Sequence, residues 1–342
     1  MTGITKRQLM AAAASAAIAR PALAQQELYE AAKKEGELTW YSGHVNAETS
    51  EAVGTAFTKV HPGVKVNVVR STSQVAFQRL SQDMRAGVAQ CDVFSSTDVG
   101  HSLFLKHEGK YLQYRPKNVD ALVPALRDMD PDGYFAAAFP GVWLMSYNSA
   151  KVPEAEAPQS WKAALDPKWK DQLAIGHPSY SGAIGTLAVM LRKMYGWEYF
   201  KALERNRPLI GRSSDDPVTA LNAGERTVGL GTPIGTVLLS ASRGNPVTLI
   251  YPEDGSLLLI APSGIPKNAP HPNAAKLFME FMGSREYSLT LTQYFSLPMR
   301  TDVPPPPGAR PLDKIKVVTP SLQEVETGIP EVKELWRDTF GV

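Results

Sequence analysis

Between Leu38 and Asp98 the chain alternates short apolar segments with amphipathic ones, and each apolar segment ends in a cluster of hydroxyl-bearing residues. Leu38 to Tyr41 runs into Ser42-Gly43-His44, Val64 to Val69 into Arg70-Ser71-Thr72-Ser73, and Cys91 to Phe94 into Ser95-Ser96-Thr97-Asp98. The intervening segments, Ala47 to Val60 and about Val75 to Ala86, carry apolar residues at helical spacing, and the first stops at His61-Pro62-Gly63. Such a rhythm predicts a parallel sheet flanked by helices. In an open α/β sheet, ligands bind beyond the carboxyl ends of the strands, where helix N-termini converge. Ser42, His44, Ser71, Thr72, Ser73, Ser96, Thr97 and Asp98 are therefore expected at one rim.

The pattern resumes further on. Tyr134 to Tyr147 is an extended apolar stretch interrupted by Pro140-Gly141, and with the Pro-rich stretch to Pro158 it reads as a crossing into a second lobe. There Leu173-Ala174-Ile175 leads to Ser179-Tyr180-Ser181-Gly182 and a long apolar helix to Tyr195. Leu209-Ile210 leads to Arg212-Ser213-Ser214-Asp215, and Val228 to Gly231 leads to Thr232-Pro233, both with the look of helix caps. Leu257 to Ile260 followed by Ala261-Pro262-Ser263-Gly264 reads as the return crossing. The expected division is residues 25–140 with 262–303 for the first lobe, and 141–261 with 304–342 for the second. The run from Val303 to Pro307 reads as a surface linker and Leu322 to Phe340 as helical.

Residues 1–24 have a different character. Lys6 and Arg7 precede an Ala-rich apolar run from Leu9 to Ile18, and Ala22-Leu23-Ala24 supplies small residues, the layout of an export signal cleaved after Ala24. Thr5 to Met10 also resembles a twin-arginine motif with lysine in the first basic place. The run is too short to span a bilayer as a helix, which takes about 20 residues, and no later stretch is long enough. Loss of Lys6, Arg7 and Arg20 lowers the formal charge from +2 to −1, so the body lacks the basic footprint of a nucleic-acid binder. Cys91 is the only cysteine and reads as a small buried hydrophobe. A Gly-x-Ser-x-Gly elbow, a His-Glu-x-x-His motif and a phosphate-binding Gly-Lys-Ser/Thr loop are all missing from the sequence, which argues against an enzyme.

The order of these segments resembles bacterial extracellular solute-binding proteins. Leu38 to Gly43, Ala56-Phe57-Thr58-Lys59 and Cys91 to Phe94 are similar to the family's first lobe. Tyr147-Asn148, Pro158-Gln159-Ser160-Trp161 and Leu165 to Trp169 resemble the second-lobe opening of its ferric-iron-binding branch. Pro252 to Gly255, Ala261 to Ile265 and Pro270 to Phe278 resemble its closing segments. The resemblance implies a two-lobed α/β periplasmic-binding-protein fold of type II character, with ligand captured between the lobes and handed to an ABC-transporter permease in the inner membrane. It implies a periplasmic monomer that needs no cofactor. Iron binders of that branch use adjacent tyrosines after a second-lobe strand; this chain has Gly229 to Gly235 there and no Tyr-Tyr pair anywhere.

Hydroxyls beside helix N-termini, which carry free N–H groups and partial positive charge, favour an anionic oxygen ligand: phosphate, phosphonate or carboxylate. Candidate contacts add Ser179, Tyr180, Ser181, Gly182, Arg212, Ser214, Thr232, Tyr251 and Glu253 to the first-lobe set, with Arg70 for charge pairing. No bound metal is expected of the resting protein. Alternatives are a polyamine held by carboxylates and aromatic faces, ferric iron, or a secreted hydrolase on the same architecture. Closure is expected about Pro140 and Pro262.

Overall fold

A computed structural model describes residues 24–342; the expected export signal, apart from Ala24, lies outside the described residues. The chain opens with helix α1 (residues 24–35). Strand β1 (Glu37–Gly43), helix α2 (Ala47–Val60), β2 (Lys65–Arg70), α3 (Ser73–Arg85), β3 (Val93–Ser96) and α4 (Val99–His107) follow in strict alternation. The connections are short and capped. Asn46 accepts the Thr49 N–H at the start of α2, and Asp98 accepts the Gly100 N–H at the start of α4. Strands β1, β2 and β3 pair in parallel.

The 14 residues of β4 (Phe135–Asn148) are almost all buried, so the strand is covered on both faces along its length. It enters a second unit built from β5 (Leu173–Ile175), α5 (Gly182–Tyr195), α6 (Glu198–Arg205), β6 (Leu209–Ile210), α7 (Asp216–Ala223), β7 (Val228–Pro233), α8 (Ile234–Ser242) and β8 (Val247–Ile250). Strand β9 (Ser256–Gly264) then returns antiparallel to β4, from Trp143↔Leu257 to Phe135↔Gly264. The sheet order is β2-β1-β3-β9-β4-β7-β5-β6, with β8 against β4 and the short β10 (Val317–Val318) against β9. The two long strands are thus shared by both lobes. The segment read from sequence as the return crossing, Leu257 to Gly264, is strand throughout. A register shift between Ala137 and Phe139, opposite Ala261 and Pro262, lets a residue without an N–H sit inside the ladder.

Helices α9 (Pro272–Met282) and α10 (Arg285–Gln293) go back to the first lobe. Glu35 at the end of α1 accepts the N–H groups of Asn273 and Ala274 at 3.0 and 2.8 Å, holding the start of α9. Phe278 then meets Phe57 of α2 edge to face at 5.1 Å, both fully buried. Burial of each such side chain contributes about 1.5–3 kcal/mol. The last helix, α11 (Leu322–Phe340), lies on α5 and α6 of the second lobe and also reaches α4 of the first, where Glu326 faces His107 at 3.9 Å. Among the described residues no helix is long and apolar enough to cross a membrane.

The interlobe cleft as candidate binding site

The carboxyl ends of β1, β2 and β3 face those of β5, β6 and β7 across a narrow cavity. Its first-lobe wall is made by Gly43 to Asn46, Thr49, Arg70, Thr72, Ser73 and Thr97. The second-lobe wall is made by Ser181, Ala183, Ser213 to Asp215, Pro233, Gly235 and Thr236. Phe139 and Trp143 of β4 form the floor, and Ser296 completes the rim.

The N-termini of α2, α3, α5, α7 and α8 all contribute to this lining. No side chain caps the start of α3 or α8, so the first turns of these helices keep backbone N–H donors at the cavity, apart from the Gln74 N–H. At α7 the Asp216 N–H goes to Ser213 Oγ, Pro217 has no N–H and the Val218 N–H goes to the Asp215 carbonyl, so this terminus offers its dipole and not free donors. Ser73 Oγ donates to the Gly43 carbonyl at 2.6 Å and accepts the Thr97 N–H at 2.9 Å, tying the β1, β2 and β3 loops together. Arg70 Nε donates to the Val45 carbonyl, and its Nη2 reaches Asp215 Oδ2 of the other lobe at 3.4 Å. Thr236 donates to the second carboxylate oxygen of Asp215 at 2.7 Å.

The other end is aromatic. His44 is 5% exposed, with its ring 5.6 Å from Trp40 and 5.5 Å from Phe139. Burial, and secondarily the charge of Arg70, lower its pKa to about 3, so the imidazole is neutral at pH 7. Neither of its nitrogens has a hydrogen-bond partner, and neither does Nε1 of Trp143. Trp143 lies across Gly141, where a β-carbon would sit 2.1 Å from its Cζ3; the Pro140-Gly141 pair therefore seats the floor of the site.

Of the residues expected from sequence, His44, Arg70, Thr72, Ser73, Thr97, Ser181 and Ser214 line the cavity. Others stand one layer behind it. Ser42 Oγ bonds Ser50 Oγ, Ser96 Oγ bonds His101 Nδ1, and Asp98 accepts from Gln74 Nε2. The Ser71 N–H is spent on the Ser42 carbonyl, and that of Ser179 on His177 Nδ1. Gly182 lies against the Asp98 backbone. Arg212 lies over the Tyr180 ring at 4.6 Å, and the Tyr180 carbonyl accepts the Gln74 N–H. Thr232 is fully buried and donates to the Leu144 carbonyl. Tyr251 and Glu253 sit apart, engaged with Arg310 and Lys316 respectively. Their loop follows β8, which pairs with the far end of β4, so the chain never brings it to the rim. Asn46, Thr49, Gly235, Thr236 and Ser296 were not singled out from sequence. Asn46 was open to detection as an Asn before a helical segment. Ser296 depends on a turn at Phe295 with φ of 60°, which has no local signal.

Residues 91–319 match the family described as bacterial extracellular solute-binding protein, and the chain belongs to that family, whose members capture solutes for membrane importers. Among curated relatives, a putative 2-aminoethylphosphonate-binding periplasmic protein of Salmonella paratyphi A is 24% identical over 309 residues, which is 86% of this chain and 83% of that one. Among solved structures, the periplasmic binding protein AfuA of Actinobacillus pleuropneumoniae, with exogenous fructose-6-phosphate bound, superposes with a TM-score of 0.81 at 23% identity. That match covers 90% of this chain and 99% of AfuA. Iron-bound HitA of Pseudomonas aeruginosa gives 0.75 at 20% identity, over 89% and 99%. The fold is the two-lobed one of these periplasmic binding proteins.

Proposed function

We propose that the protein captures a small solute bearing a phosphoryl, phosphonyl or carboxylate group between its lobes and delivers it to an ABC-type permease. The observation that carries this reading is the convergence of α2, α3, α5, α7 and α8 on one cavity that also holds Arg70 and five hydroxyl-bearing loops. Each helix N-terminus carries about half a positive charge, and in a poorly hydrated cleft their sum favours an oxyanion. The relatives named for 2-aminoethylphosphonate and fructose-6-phosphate both handle phosphorus oxyanions, which agrees with this direction.

Polyamine and iron readings find less support. Asp215 is the one acid among the described lining residues, and it is already engaged by Arg70 and Thr236. No tyrosine lines the cavity, and the described residues contain no group of three or more His, Cys, Asp or Glu suited to a metal. In this reading the lobes comprise about residues 25–140 with 262–303 and 141–261 with 304–342, the ligand leaves unchanged, and the exported protein acts as a periplasmic monomer.

Thermal-shift and calorimetric titration against phosphates, phosphonates, carboxylates, polyamines and ferric iron tests this. A ligand at about 1,000 times its Kd adds roughly 4 kcal/mol of stability, so a true ligand among the anions gives a clear shift. Stabilisation by polyamines or iron alone would refute the oxyanion reading.

A further inference from the structure

The aromatic end of the cavity has hydrogen-bonding capacity that the protein itself leaves unused. His44 and Trp143 are 5% and 2% exposed, both line the void, and Nδ1 and Nε2 of the one and Nε1 of the other are unpartnered. Nearly all buried polar groups in folded proteins find a partner. Phe at both positions would fill similar space with nothing left unpaired, so these nitrogens are suited to a molecule that enters.

The atom each nitrogen requires defines that molecule. The indole N–H only donates, whereas a neutral imidazole donates through one nitrogen and accepts through the other. This end of the site therefore needs two acceptors and one donor. A fully ionised oxyanion offers acceptors alone and leaves one imidazole nitrogen unpaired. The missing donor is a neutral one, because Asp215 is already engaged and no other acid among the described lining residues could balance an ammonium group. We infer that His44 and Trp143 read a hydroxyl carried beside the oxyanion, which makes the ligand class hydroxylated phosphate or phosphonate esters rather than bare anions or amines. The inference rests on the oxyanion reading and narrows it.

Calorimetric titration of the purified protein with one three-carbon skeleton separates the cases. The probes are glycerol 3-phosphate, n-propyl phosphate and 3-aminopropyl phosphate, with inorganic phosphate as the bare anion. Glycerol 3-phosphate is expected to bind at least about tenfold more tightly than propyl phosphate, since a site built for a hydroxyl rejects the analogue lacking it. His44→Phe is expected to erase that ratio, and His44→Gln, with one donor and one acceptor, to keep most of it. Equal binding of the glycerol and propyl esters by the unaltered protein overturns the inference. So does tighter binding of the aminopropyl ester. The ligand series alone decides if His44→Phe does not fold. Silence from all four probes, inorganic phosphate included, overturns the hydroxyl assignment together with the phosphoryl form of the oxyanion reading; loss of the ratio alone defeats only the hydroxyl assignment.

Discussion

Gly182 of α5 and Asp98, the cap of α4, meet across the seam between the lobes so closely that a β-carbon at 182 would stand 2.6 Å from the Asp98 amide nitrogen. The Gln74 N–H reaches the Tyr180 carbonyl at 3.3 Å along the same seam. These contacts exist only when the lobes are together, so Gly182→Ala is expected to oppose closure without harming either lobe. Overpacking of this kind costs about 1–3 kcal/mol, which corresponds to an affinity loss of about 5- to 150-fold. Calorimetry reads the loss, and small-angle scattering reads the failure to compact with ligand. Unaltered affinity would show that the seam is not part of the liganded form.

Arg70 supplies the single cationic side chain lining the cavity among the described residues. A charge-assisted hydrogen bond to an oxyanion contributes about 1.5–3 kcal/mol. Arg70→Gln should therefore raise the Kd for an anionic ligand by about one to two orders of magnitude. Equal affinities for the two proteins would take Arg70 out of the site.

Acid should loosen the fold through its buried histidines. Burial holds the pKa of His44 down to about 3 and that of His101 to about 4, and it lowers His61 and His177 as well. The unfolded imidazole titrates near pH 6.5, so below that value the unfolded chain takes up protons that the folded chain refuses. Stability is complete above about pH 6.5 and falls as pH drops toward 4, by roughly 1.4 kcal/mol per pH unit for each such histidine. Urea denaturation at pH 5 and 7 measures this, and His101→Gln should flatten the profile. A variant as acid-sensitive as the parent would contradict the assignment.

Trp336 is fully buried where α11 meets α6, 5.6 Å from Phe200 and 4.4 Å from Phe340. Trp336→Ala should cost about 3–5 kcal/mol and lower the denaturation midpoint accordingly. A loss under about 1 kcal/mol would mean that α11 is only lightly attached.

The alternation of strands and helices, the long crossing at Phe135–Asn148 and the rim of polar loops were all legible in the sequence, because apolar periodicity and helix caps are local signals. Which hydroxyl at the rim faces the void was not. Ser42 and Ser96 lie in the same loops as His44 and Thr97, yet they turn inward to Ser50 and His101. That choice depends on neighbours brought up by tertiary packing. Thr236 and Ser296 escaped for a related reason. One follows a proline-capped helix start, the other a left-handed turn, and both reach the site only because α8 and the segment after α10 are carried to the cleft by the sheet.

Strand β3 finds its second neighbour in β9, and the hydroxyls of Ser95 and Ser263 touch across 168 positions of sequence. A chain emerging from its N-terminus must keep the β3 edge unpaired until nearly the whole second lobe has appeared. Helices α9 and α10, which cover α2, come later still. Completing the first-lobe sheet thus depends on contacts of large sequence separation, which slow folding. What a ligand meets as two jaws is, for the folding polypeptide, one indivisible object that cannot be cut at its waist.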